Sequence, residues 1–300
     1  MRNTYQLVIG IMIAMSAASQ ASLIAYDGFN SSTLGDKANG VYKNNFHMYA
    51  TENADVKGGA IIGLGTYNWS GNSGTFKART GGLTSGTFGT NSTGHVEMTG
   101  AGTIGSRQVE RQINATPTST TLYMSGMLRT SVLDTTGTSA FEGFAMGFTD
   151  SETAGSYYTA AFDGLLFGFD GNGTGADLVV WGAGGRQVVA SNVSTGTTYH
   201  VVSEIVFNAA GNESIKVWLN PTVDTSYGSH TVSFSGDYAD SLADFNYATM
   251  YTRTATTGVM NFDELTLATA YSDVIPEPAT IGMLGLGALL MVLIRRFRVS

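Results

Sequence analysis

Asp170, Asn172, Thr174 and Asp177 stand in the stretch FDGNGTGAD, separated by glycines. Spaced oxygen donors on a glycine-rich turn suit calcium, which accepts several oxygen ligands in a flexible shell. An EF-hand pattern would need Glu at position 181, where Trp181 stands. A turn joining LLFGF to DLVVW accounts for the same residues. Calcium is kept as a candidate for this loop, and no other cofactor is expected.

Paired carboxyls are the next chemistry to test. A retaining glycosidase needs two of them about 5 Å apart. On one strand that reads as acids at alternate positions, such as E-x-D-x-x-E, and no such run occurs. Asp163, Asp170 and Asp177 are seven apart, across the predicted turn. Asp263 and Glu264 are adjacent, and adjacent strand residues face opposite sides. There is no G-x-S-x-G nucleophile turn. His47, His95, His200 and His230 are scattered singly. GAGTIG, Gly100 to Gly105, spells G-x-G-x-x-G after the strand-like HVEMT. A dinucleotide site would need a βαβ unit and an acid about twenty residues on. Position 120 is Thr120 and the next acid beyond it is Asp134, so a glycine-rich turn is the reading. No catalytic residue is assigned, and the chain is expected not to be an enzyme. Trp69, Trp181 and Trp218 offer flat apolar faces that could stack on sugar rings. On strands such aromatics serve the core more often. Trp69 differs, because its setting NWSGNSG reads as a loop.

The elements that carry these residues alternate with period two. In IKVWL, Ile215, Val217 and Leu219 share one side, with Lys216 and Trp218 on the other. Further strands are predicted at TLYMSGML, AIIGLG, EGFAMGF, LLFGF, DLVVW, YHVVSEIVF, TVSF and FDELTLA. NAAGNE reads as a hairpin connection. Residues 66–95, nearly all Gly, Ser, Thr and Asn, read either as long surface loops or as strands too polar to recognise, and loops on one rim are the preferred reading. Gly is abundant (39), Pro scarce (4), and charged residues make up 13%. Many short strands without a helical period predict one all-β sandwich of two antiparallel sheets.

The chain has no cysteine. That excludes a disulfide scaffold, a thiolate zinc site and a cysteine nucleophile. The net charge of −8 argues against nucleic acid, which needs clustered Lys and Arg. Residues 22–275 hold 11 Lys and Arg against 22 Asp and Glu, whereas the last residues are basic. At the N-terminus, Arg2, the apolar Leu7 to Met15, and small Ser19 and Ala21 have the order of a signal peptide. Residues 1–21 are read as that peptide, cut by signal peptidase after Ala21.

The tail has three parts: Pro276-Glu277-Pro278, the apolar Ala279 to Ile294, and Arg295, Arg296 and Arg298. Sixteen helical residues span about 24 Å, slightly short of a hydrocarbon core of about 30 Å. Flanking apolar residues and snorkelling arginines extend the reach. Pro278 suits a first helical turn. The arginines keep this end cytoplasmic, so the body faces outward.

This tail closely resembles the PEP-CTERM sorting signal, with Ile275 where the usual form has Val. The resemblance implies export in a Gram-negative bacterium, a transient inner-membrane stage, processing by an exosortase near the triplet, and a link to exopolysaccharide. LIAYDGFN, TLYMSGMLRT, TTYHVVSEIVFN with IKVWLNP, and FDELTLATAYSDV resemble bacterial laminin-G-like or concanavalin A-like jelly-roll domains. The domains expected are a signal peptide (1–21), a jelly roll (22–272) and a sorting segment (273–300). That segment comprises the motif at 276–278, a transmembrane helix at 279–294 and a basic tail at 295–300. The function expected is a non-catalytic surface or matrix protein in contact with polysaccharide. A polysaccharide hydrolase or lyase on the same fold, or a structural or adhesive biofilm component, are the alternatives. Changing Pro276, Glu277 and Pro278 to alanine is expected to leave unprocessed protein in the inner membrane. Cell fractionation and immunoblotting read the outcome, and normal processing would refute the triplet's role.

Overall fold

The computed structural model describes residues 23–27, 29, 37–38, 41–42, 70–72, 76–85, 94–99, 106–113, 116–132, 143–150, 163–182, 185–221, 230–253 and 258–275. The signal-peptide residues Ser19 and Ala21 lie outside these residues. So do Pro276, Glu277, Pro278, the apolar run after them, and Arg295, Arg296 and Arg298. His47, Trp69, AIIGLG and GAGTIG also lie outside.

The chain forms short strands in the order β1 (Leu23–Asp27), β2 (Lys37–Ala38), β3 (Val41–Tyr42), β4 (Ser70–Asn72), β5 (Phe76–Thr80) and β6 (Gly94–Thr99). Then come β7 (Ser106–Gln112), β8 (Thr121–Val132), β9 (Gly143–Thr149), β10 (Gly164–Gly171), β11 (Ala176–Gly182) and β12 (Gly185–Ala190). The last are β13 (Thr198–Val206), β14 (Glu213–Leu219), β15 (Val232–Gly236), β16 (Tyr247–Arg253) and β17 (Val259–Ala268). Two 3-10 turns, Leu242–Phe245 and Tyr271–Asp273, are the helical elements among the described residues. Ser241 caps the first, accepting from Ala243 N–H while Asp244 accepts from Ser241 N–H.

The first sheet runs β15-β14-β13-β8-β17-β6-β5, with β1 also on β17. The second runs β12-β11-β10-β9-β16-β7-β4. The pairings within both are antiparallel. The chain crosses repeatedly from one sheet to the other, and the result is an all-β antiparallel jelly-roll sandwich, as expected. NAAGNE does join the β13–β14 hairpin.

Alternation decides what the sheets bury. Leu165, Phe167 and Phe169 of β10 face inward, with Leu178 and Val180 of β11 and Met146 and Phe148 of β9. Leu122, Met124, Val201, Ile205, Ile215, Val217 and Phe262 meet them from the first sheet. Each large apolar side chain so buried contributes about 1.5–3 kcal/mol. Residues 66–95 depart from the loop reading, since β4, β5 and the start of β6 lie within them. β4 and β5 each end a sheet. An end strand has one hydrogen-bonding neighbour, so its sequence need not alternate strongly, and polar strands of this kind escape pattern reading. GAGTIG joins β6 to β7, so a strand follows it rather than a helix.

Gly126 in β8 leaves a gap in the inward face. A Cβ there would stand 2.2 Å from Met146 Cε and 2.8 Å from Phe167 Cε2. Overpacking a core forces neighbours off their rotamers. Gly126→Val is therefore expected to cost about 1–3 kcal/mol, measured as a lowered urea midpoint. An unchanged midpoint would show that the two sheets do not interlock at this point.

Candidate functional site

The outward face of the second sheet brings together residues that sequence spacing does not connect. Register aligns Arg186, Trp181, Leu166, Gly147, Thr249 and Glu110 in one cross-strand row. The next row holds Val188, Val179, Gly168, Ala145 and Tyr251. Gly147 and Gly168 form the floor between the aromatics. A Cβ would fall 2.1 Å from the Leu165 carbonyl at Gly147 and 1.8 Å from the Phe144 carbonyl at Gly168. Leu166 and Ala145 complete that floor, and the Trp181 and Tyr251 rings meet across it, centroids 5.9 Å apart. Trp181 is 4% exposed and Tyr251 fully buried, so Trp181 packs against Tyr251 rather than offering an open stacking face. Thr149 and Thr249 share a buried 2.7 Å hydrogen bond on the same face.

One end of this face carries the predicted calcium loop. Asp170 and Asp177 stand opposite each other in register. Arg186, distant in sequence pattern, reaches both: Nε donates to Asp170 Oδ2, and Nη2 to Asp177 Oδ2 at 3.1 Å. Asp177 Oδ1 accepts from Asn172 Nδ2 (2.7 Å) and Asn192 N–H (3.1 Å). Burial raises the Asp177 pKa, but these hydrogen bonds and the Arg186 charge outweigh it and hold the carboxyl below its usual range. Asn172 Oδ1 accepts from Thr174 N–H, Thr174 Oγ1 and Gly175 N–H. Here the loop's oxygens serve an Asx turn and a guanidinium. Among the described residues no group of three or more His, Asp and Glu gathers as a metal site. Thr174, Asn192 and Arg186 remain exposed at this corner.

The other end is acidic. Asp163 precedes β10, Asp150 follows β9, and Asp244 sits in the 3-10 turn before β16. Asp150 N–H donates to the Asp163 carbonyl at 3.0 Å. Burial, then the charges of Asp244 and Asp150, push Asp163 up to about 6. Asp150 is raised too, by burial and then Asp244. Asp163 thus lies at the opposite end of β10 from Asp170, not in one cluster with it and Asp177.

The first sheet's outward face is roofed. Asp263 accepts from Leu83 N–H (2.8 Å) and Glu264 N–H (2.9 Å). Glu264 has a left-handed φ of 54° and accepts from Tyr26 Oη at 2.6 Å. That bulge breaks the alternation, so Asp263 and Glu264 do not divide between core and solvent as adjacent strand residues would. His95 Nδ1 donates to the Gly81 carbonyl at 2.5 Å, and burial lowers its pKa. His200, wholly buried, donates to the Val274 backbone, and burial pushes it down to about 4. His230 is exposed. Glu204 accepts from Tyr123 Oη (2.9 Å) and Lys216 Nζ (2.5 Å). Trp218 is 6% exposed, packed against Tyr271. Sequence spacing missed Arg186, Tyr251, Glu204, Asp150 and Asp244, because only strand register brings them to their partners.

Residues 274–298 match the PEP-CTERM protein-sorting motif, which marks the chain for export and sorting. No curated protein matches the chain. Solved structures of similar shape include alginate lyase Aly36B, at 14% identity and TM-score 0.37, covering 59% of this chain and 81% of that one. Endo-β-1,4-glucuronan lyase from the fungus Trichoderma reesei matches at 16% identity and TM-score 0.38, covering 63% and 87%. The VIP36 exoplasmic/lumenal domain, bound to Ca2+ and Man3GlcNAc, matches at 10% and TM-score 0.37, covering 66% and 86%. Likenesses this distant assign neither ligand nor reaction.

Asp163 makes the acidic end pH-sensitive. Its folded pKa of about 6 exceeds the ordinary Asp value of 3.8, so the folded state binds the proton more tightly between those values. Ionised Asp163 therefore weakens the fold above pH 6, and that penalty fades as pH falls toward 3.8. Asp163→Asn is expected to stabilise by about 1 kcal/mol at neutral pH, after allowance for solvent screening. The gain should vanish near pH 4 in paired thermal melts, and a pH-independent gain would refute the cause.

Proposed function

We propose that this chain is an exported surface or matrix protein without catalytic activity. It is delivered through signal peptidase and an exosortase, passes through the inner membrane, and contacts polysaccharide. The sorting motif of residues 274–298, joined without a spacer to a packed β-sandwich, carries this reading. The commitment of its carboxylates supports the absence of catalysis. Asp170 and Asp177 hold Arg186, Glu204 holds Lys216, and Glu264 holds Tyr26. Glu213 accepts the N–H groups of Tyr238 and Ala239. The exposed corner of Thr174, Asn192 and Arg186 supplies hydroxyl, amide and guanidinium groups suited to sugar hydroxyls. Calcium enters this reading only as a condition of the test.

A second reading, a polysaccharide hydrolase or lyase, rests on Asp163. A carboxyl at about 6 beside two further acids has the protonation state of a general acid near neutral pH. Under the third, structural or adhesive reading the chain would bind no glycan.

A glycan array with the residue 22–275 fragment, run with and without calcium, separates the three. Binding to an acidic or neutral polysaccharide, weakened by Thr174→Ala or by Asn192→Gly, is the expected outcome. Asn192→Gly keeps the left-handed backbone at φ 50°. No binding under either condition would sink the polysaccharide contact. Release of reducing or unsaturated ends, abolished by Asp163→Asn, would replace the non-catalytic reading with the second.

A further inference from the structure

Val274 and Ile275 belong both to the packed body and to the sorting motif. They sit on the outward face of the first sheet with Leu83, Tyr123, Met127, Val202, Trp218 and Tyr271. Tyr271 stands edge-on to Trp218 at 5.3 Å and to Tyr123 at 5.9 Å. The turn Tyr271–Asp273 closes with Val274 N–H donating to the Tyr271 carbonyl at 3.2 Å. His200 donates to the Val274 backbone from the sheet below. Val274 is 2% and Ile275 7% exposed. The stretch is therefore fixed by side-chain burial, by an aromatic pair and by backbone hydrogen bonds.

We propose that residues 271–275 form a strap that seats the entrance of the sorting motif on the folded domain. Processing is thereby confined to the C-terminal side of Ile275, and the mature protein keeps the strap. A processing enzyme must take its peptide extended into a cleft. A stretch held by the buried side chains of Tyr271, Val274 and Ile275 cannot enter one without exposing all three together. The amide bond broken thus lies beyond Ile275. Its acyl half passes to water or to an acceptor amine, and the departing tail leaves with a free amino group. The inference rests on the sorting-motif match and not on polysaccharide contact, so the two fail separately.

Two measurements test it. Mass spectrometry of the mature protein from the producing cell should find Tyr271 to Ile275 in the C-terminal peptide, whose mass also identifies the acceptor. A C-terminus before Ile275 would overturn the proposal. The second uses the full-length precursor in detergent with a broad-specificity protease. Ile275→Asp should speed cleavage within 271–275 about tenfold, the change expected when one buried aliphatic contact is lost. Val274→Ala is the milder variant, and near-UV circular dichroism reports whether either body stays folded. Wild-type cleavage rates in folded variants would show that the strap does not protect the segment.

Discussion

Met146 and Phe167 fill the space that Gly126 leaves on the opposite sheet, and the sandwich is built around contacts of this kind. The chain has no cysteine to restrain its unfolded state. Burial between the sheets must therefore offset the conformational entropy of a long, glycine-rich chain. Glycine is costly in strands, yet here it is what permits close approach. At Gly126 it admits side chains from the other sheet, and at Gly147 and Gly168 it admits neighbouring backbone.

The two outward faces are closed by different means. On the second sheet, Trp181 and Tyr251 meet over the glycine floor, with an arginine-bridged acid pair at one end and crowded carboxyls at the other. On the first, residues 81–85 and 271–275 lie over the strands. Asp263 and His95 tie down the former, and Trp218 and His200 the latter. Polar groups buried this way need partners, which explains why so many carboxylates have structural roles. The same packing brings the sorting motif's first residues into the body, so the sorting address and the fold share residues.

Strong strands were legible in the sequence where alternation was enforced by burial on one or both faces. IKVWL, LLFGF, DLVVW and YHVVSEIVF are of this kind, and all lie inside their sheets. β4 and β5 were not legible, because end strands tolerate Ser, Asn, Lys and Arg. Asp163, Asp170 and Asp177 looked equivalent at spacing seven. β10 carries the first two to opposite ends, because a strand of that length spans more than 20 Å at about 3.3 Å per residue. Trp181 and Trp218 read as core or as stacking platforms. They are neither in the inter-sheet core nor open, since each is buried on an outward face.

By itself the sequence determined the fold class and the sorting address. Both are local signals: period-two alternation is written residue by residue, and the Pro-Glu-Pro, apolar and basic segments follow one another directly. Only the tertiary structure decided which acids are neutralised, which are crowded, and that Val274 and Ile275 pack on the first sheet. Those outcomes depend on register between strands distant in the chain. Arg186 meets Asp170, Asp163 meets Asp244, and Ile275 meets the first sheet, all through pairings that no local spacing encodes.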